Sequence, residues 1–253
     1  MAREACPGNT LLTFFLMIIT VFSAFNTKTQ ILAQAQGPFS YLKLSIQWPK
    51  SFCNTGNYNC RYPIKTYFTV NGFWPMYWWD HRVPPYHKQD GCTRIVPLEK
   101  GNITENLLHS ILDDMKWYWP VLKYKAEISQ EEGNVILWRK EWEERGMCYN
   151  NPDFPLIYFQ DTIHMIKKYN VLEMLDAGEI RPDNEEHFGR HMVQSIHNST
   201  GADPEIVCNE DASGSLQLLG VNICIRRNFK EAHPHAILPP VKLNLPTYAY
   251  KFN

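Results

Sequence analysis

Two stretches of the chain set polar side chains at spacings that can do chemistry. In Trp138-Arg139-Lys140-Glu141-Trp142-Glu143-Glu144-Arg145-Gly146-Met147-Cys148, the residues Lys140, Glu141, Glu144 and Arg145 fall close together. Glu141 can accept a proton. Arg145, with a pKa above about 12, is a permanent cation and no base near neutrality. In Phe68-Thr69-Val70-Asn71-Gly72-Phe73-Trp74-Pro75, the Asn71 amide can hydrogen-bond a phosphate oxygen but has no accessible proton equilibrium. The set can hold an anion. For acid–base catalysis it offers a candidate base, Glu141, and no identifiable acid. On a helix, Lys140 precedes Glu144 by four residues and Glu141 precedes Arg145 by four. Both spacings suit opposite-charge pairs worth about 0.2–0.5 kcal/mol each, which would neutralise the region internally.

Strands and helices must position these groups. Leu42, Leu44, Ile46 and Trp48 alternate with Lys43, Ser45 and Gln47, the pattern of a half-buried strand ended by Pro49. Thr66 to Asn71 is rich in β-branched and aromatic residues and predicts a second strand that ends at Asn71. Residues 75–97 read as a loop punctuated by prolines. Leu107, Leu108, Ile111, Leu112 and Met115 recur with helical period behind a possible capping box from Asn102 to Glu105. Trp138 and Trp142, four apart, form one buried stripe of a short helix. Ile157 to Leu175 predicts a helix, as do Phe188, Met192 and Ile196. Glu205 to Cys208 and Leu216 to Ile225 predict late strands, with a change of phase at Leu219-Gly220 that indicates a bulge. No regular βαβ rhythm is present. The expected class is α+β with a mainly antiparallel sheet and several packed helices.

The chain has 253 residues. Arg3 followed by the apolar run from Leu11 to Phe25 has the form of a secretory signal, with Ala33-Gln34-Ala35 as the preferred cleavage context. The run is shorter than the roughly 20 residues a spanning helix needs, so no membrane span is expected. The expected organisation is a signal peptide over 1–35 and a single domain over 36–253. The product would be secreted, or lumenal or vacuolar by way of the secretory pathway. Formal net charge is −1, and loss of the signal leaves the chain near neutral. A dedicated polyanion binder usually carries a basic surplus, so no DNA partner is expected. Of seven cysteines, Cys6 leaves with the signal, and an even set in a secreted chain reads as disulfides. Local spacing favours Cys53 with Cys60 and Cys208 with Cys224, leaving Cys92 for Cys148. Without a C-x-x-C or a close Cys/His cluster, neither a metal nor a cofactor is expected. Asn102-Ile103-Thr104 and Asn198-Ser199-Thr200 are glycosylation sequons at expected surface positions.

Five segments occur in an order that resembles the ribonuclease T2 family. They are Gln47-Trp48-Pro49 with Cys53, the Asn71 segment, Trp119-Pro120-Val121-Leu122, the Trp138–Cys148 segment, and Pro204 to Asn209 with the later Leu218 to Cys224. The resemblance covers roughly residues 39–226 and is closest to the plant branch that includes the self-incompatibility ribonucleases. It implies that family's fold, and a reaction in which the RNA 2′-hydroxyl attacks the adjacent phosphorus to give a 2′,3′-cyclic phosphate. Two histidines carry the protons, and a lysine and a glutamate assist at the phosphate. By that resemblance Asn71 stands at the first histidine position, Lys140 at the histidine before the glutamate, Glu144 at the lysine and Arg145 at the second catalytic histidine. Only Glu141 is retained. A positioned acid or base contributes about 10²–10⁴ in rate, so cleavage is expected to be absent or vestigial. A binding, defence or storage role is expected, with RNA, carbohydrate or protein as ligand. The alternative is a weak or altered endoribonuclease.

Other features are weaker. Trp74, Tyr77, Trp78, Trp79 and Tyr86 crowd one region, and Gln47, Trp74 and Trp78 are the candidate substrate-binding residues. Trp74 also matches the family segment and so serves the scaffold. His81 and His87 have no spacing that singles them out. His187 and His191 would share a helix face but have no third ligand. His233 and His235 lie in a Pro-rich tail.

Overall fold

The computed structural model describes residues 39–88, 92–226 and 248–253. The expected signal peptide, His233, His235 and most of the tail lie outside these. Strand β1 (Tyr41–Gln47) is central, with β2 (Thr69–Tyr77) on one side and β6 (Leu216–Arg226) on the other, both antiparallel. Strand β3 (His81–Arg82) extends the sheet beyond β2, and β5 (Glu205–Glu210) pairs antiparallel with β6. Strand β7 (Ala249–Lys251) meets β6 in parallel at Gln217↔Lys251 and pairs antiparallel with β4 (Glu186–Phe188). The α+β class with a mainly antiparallel sheet is what the pattern predicted.

Helices cover one face. They are α1 (Pro49–Cys53), α2 (Leu112–Tyr118), α3 (Gln130–Glu144), α4 (Pro155–Lys168), α5 (Val171–Asp176) and α6 (Gly189–Thr200). Leu42, Leu44 and Ile46 point into this layer and join Trp48, Trp119, Trp138, Trp142, Tyr158 and Phe159 in one core. Burial of such a side chain contributes about 1.5–3 kcal/mol. Two indole N–H groups inside it reach backbone carbonyls, Trp138 donating to Trp119 at 2.9 Å and Trp142 to Leu98 at 2.6 Å, whereas that of Trp119 has no partner.

Both strands beside β1 carry a bulge. Opposite β1, Ser45 faces Gly72 and Ile46 faces Val70, so Asn71 is the extra residue on β2. Opposite β5, Val207 faces Gly220 and Cys208 faces Leu218, so Leu219 is the extra residue on β6, where the phase change placed it. The Leu219 carbonyl accepts from the Trp48 backbone N–H at 2.6 Å. Gly220 is required there, because a Cβ would collide with the Ile46 carbonyl.

Several expectations need correction. β1 is buried on both faces: Lys43 and Ser45 are each 4% exposed, and Lys43 has carboxylate partners in Asp80, from the turn after β2, and Glu205, from β5. β2 runs on to Tyr77, so Asn71 lies within it, and a 3-10 turn (Trp78–Asp80) and β3 occupy the expected loop. Helix α2 begins only at Leu112. Thr104, not Asn102, caps the preceding turn, with its hydroxyl accepting from the Leu107 N–H at 3.2 Å. The helix predicted from Ile157 to Leu175 is two, broken at Tyr169-Asn170. On an unbroken helix Val171 would lie about 140° around from Ile166; the break lets both reach the core. His187 belongs to β4, so it shares no helix face with His191.

Cys53–Cys60 and Cys92–Cys148 are disulfides, with Cα atoms 5.8 and 5.5 Å apart. The expected Cys208–Cys224 bridge does not form. Cys208 faces Leu218 in the β5–β6 ladder, and Cys224 lies six residues farther along β6. That is about 20 Å of strand, so closeness in sequence misled the pairing. Among the described residues no helix is long and apolar enough to cross a membrane.

Candidate functional site

The side of the central strands opposite Leu42, Leu44 and Ile46 meets the C-terminal end of α3. On β1 the residues Tyr41, Lys43, Ser45 and Gln47 share this face by alternation. On β2 Trp74 and Met76 share it, with Lys43 directly across from Trp74. Bulges commonly re-aim a side chain beside a functional site. Here the bulge exposes Asn71, whose amide nitrogen donates to the Ser45 hydroxyl at 3.1 Å. The Trp74 indole folds back over Gly72, and a Cβ at position 72 would run into it.

Two guanidinium groups attend the Trp74 ring. Arg82 lies 5.4 Å from its centroid and Arg145 5.9 Å. Arg145 sits just past the end of α3 with non-helical backbone (φ −138°, ψ −52°). It has therefore left the helical spacing that would aim it at Glu141, and the expected Glu141–Arg145 ion pair is replaced by the approach to Trp74. The other expected pair forms at the limit of contact, with Lys140 Nζ 3.9 Å from Glu144 Oε1. Both side chains are substantially exposed, so its contribution is small.

Glu141 is the chemically distinctive group. Burial pushes its carboxyl up to about 7, opposed by Arg145, reinforced by Glu144, and opposed again by the Trp74 indole N–H and Lys140. Its Oε2 atom is shielded from solvent and has no hydrogen-bond partner. Near neutral pH it is shared between acid and carboxylate. Tyr158 behind it donates its hydroxyl to the Phe73 carbonyl at 3.0 Å. Burial, reinforced by Glu141, raises that phenol well above the ordinary range.

The structure thus brings Asn71, Trp74, Glu141 and Arg145 to one place, with Lys140 and Glu144 on its rim. Gln47 lies on the same face at the end of β1. Trp78 does not join them: it is 55% exposed and tilts against Tyr41 at 6.0 Å, about 13 Å along β1 from Ser45. His81 pairs with Tyr77, on the opposite side of β2 from Trp74, and supplies no replacement imidazole to this centre. Asn102 and Asn198 are exposed, as the sequons require. Among the described residues no group of three His, Cys, Asp or Glu side chains could hold a metal ion.

Sequence reasoning missed an adjoining buried network. Lys43 Nζ lies 2.5 Å from Asp80 Oδ1 and 3.3 Å from Glu205 Oε2. The Tyr41 hydroxyl donates to Asp80 at 3.0 Å, and the Asn222 amide donates to Glu205 at 2.8 Å. Burial raises the Glu205 carboxyl and Lys43 opposes that rise. Asp80 and Trp79 both have left-handed backbone, at φ 57° and 68°. A lysine amid core positions of β1 was the available signal. Nothing in the sequence marked Arg82.

Comparison with known proteins adds the relationship. Residues 39–233 match the Ribonuclease T2 family. Ribonuclease 1 of Arabidopsis thaliana is 28% identical over 222 residues, covering 86% of each chain. A ribonuclease-like storage protein of Panax ginseng is 22% identical over 195 residues, covering 77% of this chain and 74% of its own. The crystal structure of RNase NT in complex with 5′-AMP superposes with a TM-score of 0.61 at 26% identity, over 81% of this chain and all of that one. The chain belongs to the ribonuclease T2 family.

Proposed function

We propose that this member of the ribonuclease T2 family holds an anionic ligand of the RNA class at the Asn71–Trp74–Glu141–Arg145 centre without cleaving it. We also propose that it travels the secretory pathway as a protein glycosylated at Asn102 and Asn198, serving in binding, defence or storage. Carbohydrate and protein are the other ligands this surface could take. One observation carries the reading: the Arg145 guanidinium lies over Trp74 and the Asn71 amide is bonded to Ser45, at the positions where the family resemblance calls for the two proton-carrying histidines.

Cleavage by the 2′-hydroxyl needs one group to remove its proton and another to protonate the departing 5′-oxygen. Neither an amide nor a guanidinium exchanges protons near neutral pH. Both can still contact a phosphate, the guanidinium as a charge-assisted donor. Glu144, standing where the resemblance expects a lysine, repels a phosphate, and Lys140 only partly offsets it.

The second reading is a weak endoribonuclease, and the observation favouring it is Glu141, whose raised carboxyl can take or give a proton near pH 7. An RNA cleavage assay from about pH 4 to 8 separates the two. The parent is expected to leave RNA intact. Asn71→His/Glu144→Lys/Arg145→His is expected to gain turnover, since each restored carrier is worth about 10²–10⁴. Vigorous parental cleavage to 2′,3′-cyclic ends, abolished by Glu141→Gln, would overturn the binding reading in favour of the enzyme.

A further inference from the structure

The turn that joins β2 to β3 has features that the centre at Glu141 and Arg145 does not use. Tyr77 pairs with His81 and Met76 with Arg82, so Trp78, Trp79 and Asp80 form a three-residue hairpin loop. Such loops close through left-handed backbone, which glycine adopts readily and a bulky side chain rarely does. Here Asp80 has φ 57° and Trp79 has φ 68°. A short polar side chain tolerates that region by bonding locally. An indole has no such means. Both rings of the loop also face solvent, Trp78 at 55% and Trp79 at 53% exposure. Strained backbone and exposed apolar surface each work against folding, and Trp79 combines the two.

The loop is nevertheless held firmly from beneath. Asp80 accepts from the Tyr41 hydroxyl at 3.0 Å and lies 2.5 Å from the buried Lys43 ammonium, which Glu205 also meets at 3.3 Å. The Trp78 N–H donates to the Ser40 hydroxyl at 3.2 Å, and its ring leans on Tyr41 at 6.0 Å. A ligand that meets these rings therefore has little loop motion to arrest, which lowers the entropy cost of binding.

The surroundings of the rings narrow the ligand. The hairpin exposes no other large hydrophobic side chain, and Met76 and Val83 beside it are buried. A protein partner would find two rings without the apolar surround of an interface core. A polyanion would need available cations, but Lys43 is enclosed by two carboxylates and Arg82 lies over Trp74. A neutral sugar ring needs neither. Its C–H groups carry slight positive charge and pack on the negative face of an indole. Its hydroxyls can bond to Ser40 and to the exposed His81, which flank the two rings.

We propose that the Trp78–Trp79 turn binds neutral pyranose glycans by stacking. The site goes beyond the function proposed above. It lies roughly 13 Å along β1 from Ser45 and stands whether or not the Glu141 centre holds or cleaves RNA.

The test uses the full chain in isothermal titration calorimetry, with cellohexaose and chitohexaose as separate probes. Wild type is expected to bind at least one of them with Kd below about 1 mM. Trp79→Gly should weaken that binding at least about tenfold and Trp78→Ala at least about fivefold, while Arg145→Ala stays within about twofold. Salt at about 0.5 M should leave the affinity within about twofold, since the ligand is uncharged. Trp79→Gly should melt at or above the wild-type Tm, because glycine relieves the left-handed strain. That variant keeps the test decisive if Trp78→Ala does not fold. Failure of wild type to bind either glycan, or a Trp79→Gly affinity within about twofold of wild type, would overturn the proposal. So would a fall in Tm of more than about 5 °C in Trp79→Gly, which would make the ring a packing residue. Loss of binding confined to Arg145→Ala would move the glycan to the other centre and likewise overturn it.

Discussion

The two sides of helix α3 differ in what holds them. On its inner side Trp138 and Trp142 are fully buried, each with its indole N–H on a backbone carbonyl. On its outer side Lys140 and Glu144 touch across 3.9 Å in solvent, and Arg145 has stepped off the helix toward Trp74. The inner side is fixed by packing, where any change in volume leaves a hole or a clash. The outer side is fixed by little, so its side chains can change without disturbing the fold. Scaffold and proton chemistry are separable here because they occupy different faces of one helix.

Four measurements would break or sharpen that contrast. The largest effect belongs to the inner side. Trp142→Ala should cost about 3–5 kcal/mol of unfolding free energy in a denaturant titration, and a loss below about 1 kcal/mol would mean that the stripe is not the support described. Next comes the buried lysine under the outer surface. Lys43→Met leaves Asp80 and Glu205 without their shared cation and should cost about 3 kcal/mol. Partial recovery in Lys43→Met/Asp80→Asn would identify the unpaired charge as the cause.

Glu141 tests the boundary between the two sides. Its carboxyl is raised to about 7 in the folded protein from an ordinary 4.5. The folded state therefore binds more protons than the unfolded state between those values. Stability from this group is present below the lower value and is lost as pH rises through the higher one. The loss is on the order of 3 kcal/mol. Glu141→Gln should flatten that stretch of the stability–pH curve, and an unchanged slope would remove the burial argument. The smallest effect belongs to the rim, where Lys140→Ala should shift stability by less than about 0.5 kcal/mol.

The contrast also explains what the sequence could and could not disclose. The Trp138/Trp142 stripe, the β1 alternation and the Leu219 bulge are local patterns set by periodicity, and each is where the sequence placed it. The Cys208–Cys224 expectation failed because a bridge obeys ladder register, which spacing along the chain does not encode. Lys43 could be seen as an oddity, but Glu205 lies 162 residues away, so the pairing was out of reach. At the site, the resemblance supplied the positions of Asn71 and Arg145. Their orientations came from a bulge and a helix end, neither of which a motif specifies.

One residue of surplus length in β2 decides what that surface is made of. Before Asn71 the even-numbered Phe68 and Val70 face the core; after it the odd-numbered Phe73 does, and Trp74 and Met76 face the opposite way. Were Asn71 instead to take a regular place in the ladder, inside and outside would be exchanged from Gly72 to the end of the strand. The indole that gathers both arginines keeps its outward position because the pleat absorbs the surplus residue instead of counting it.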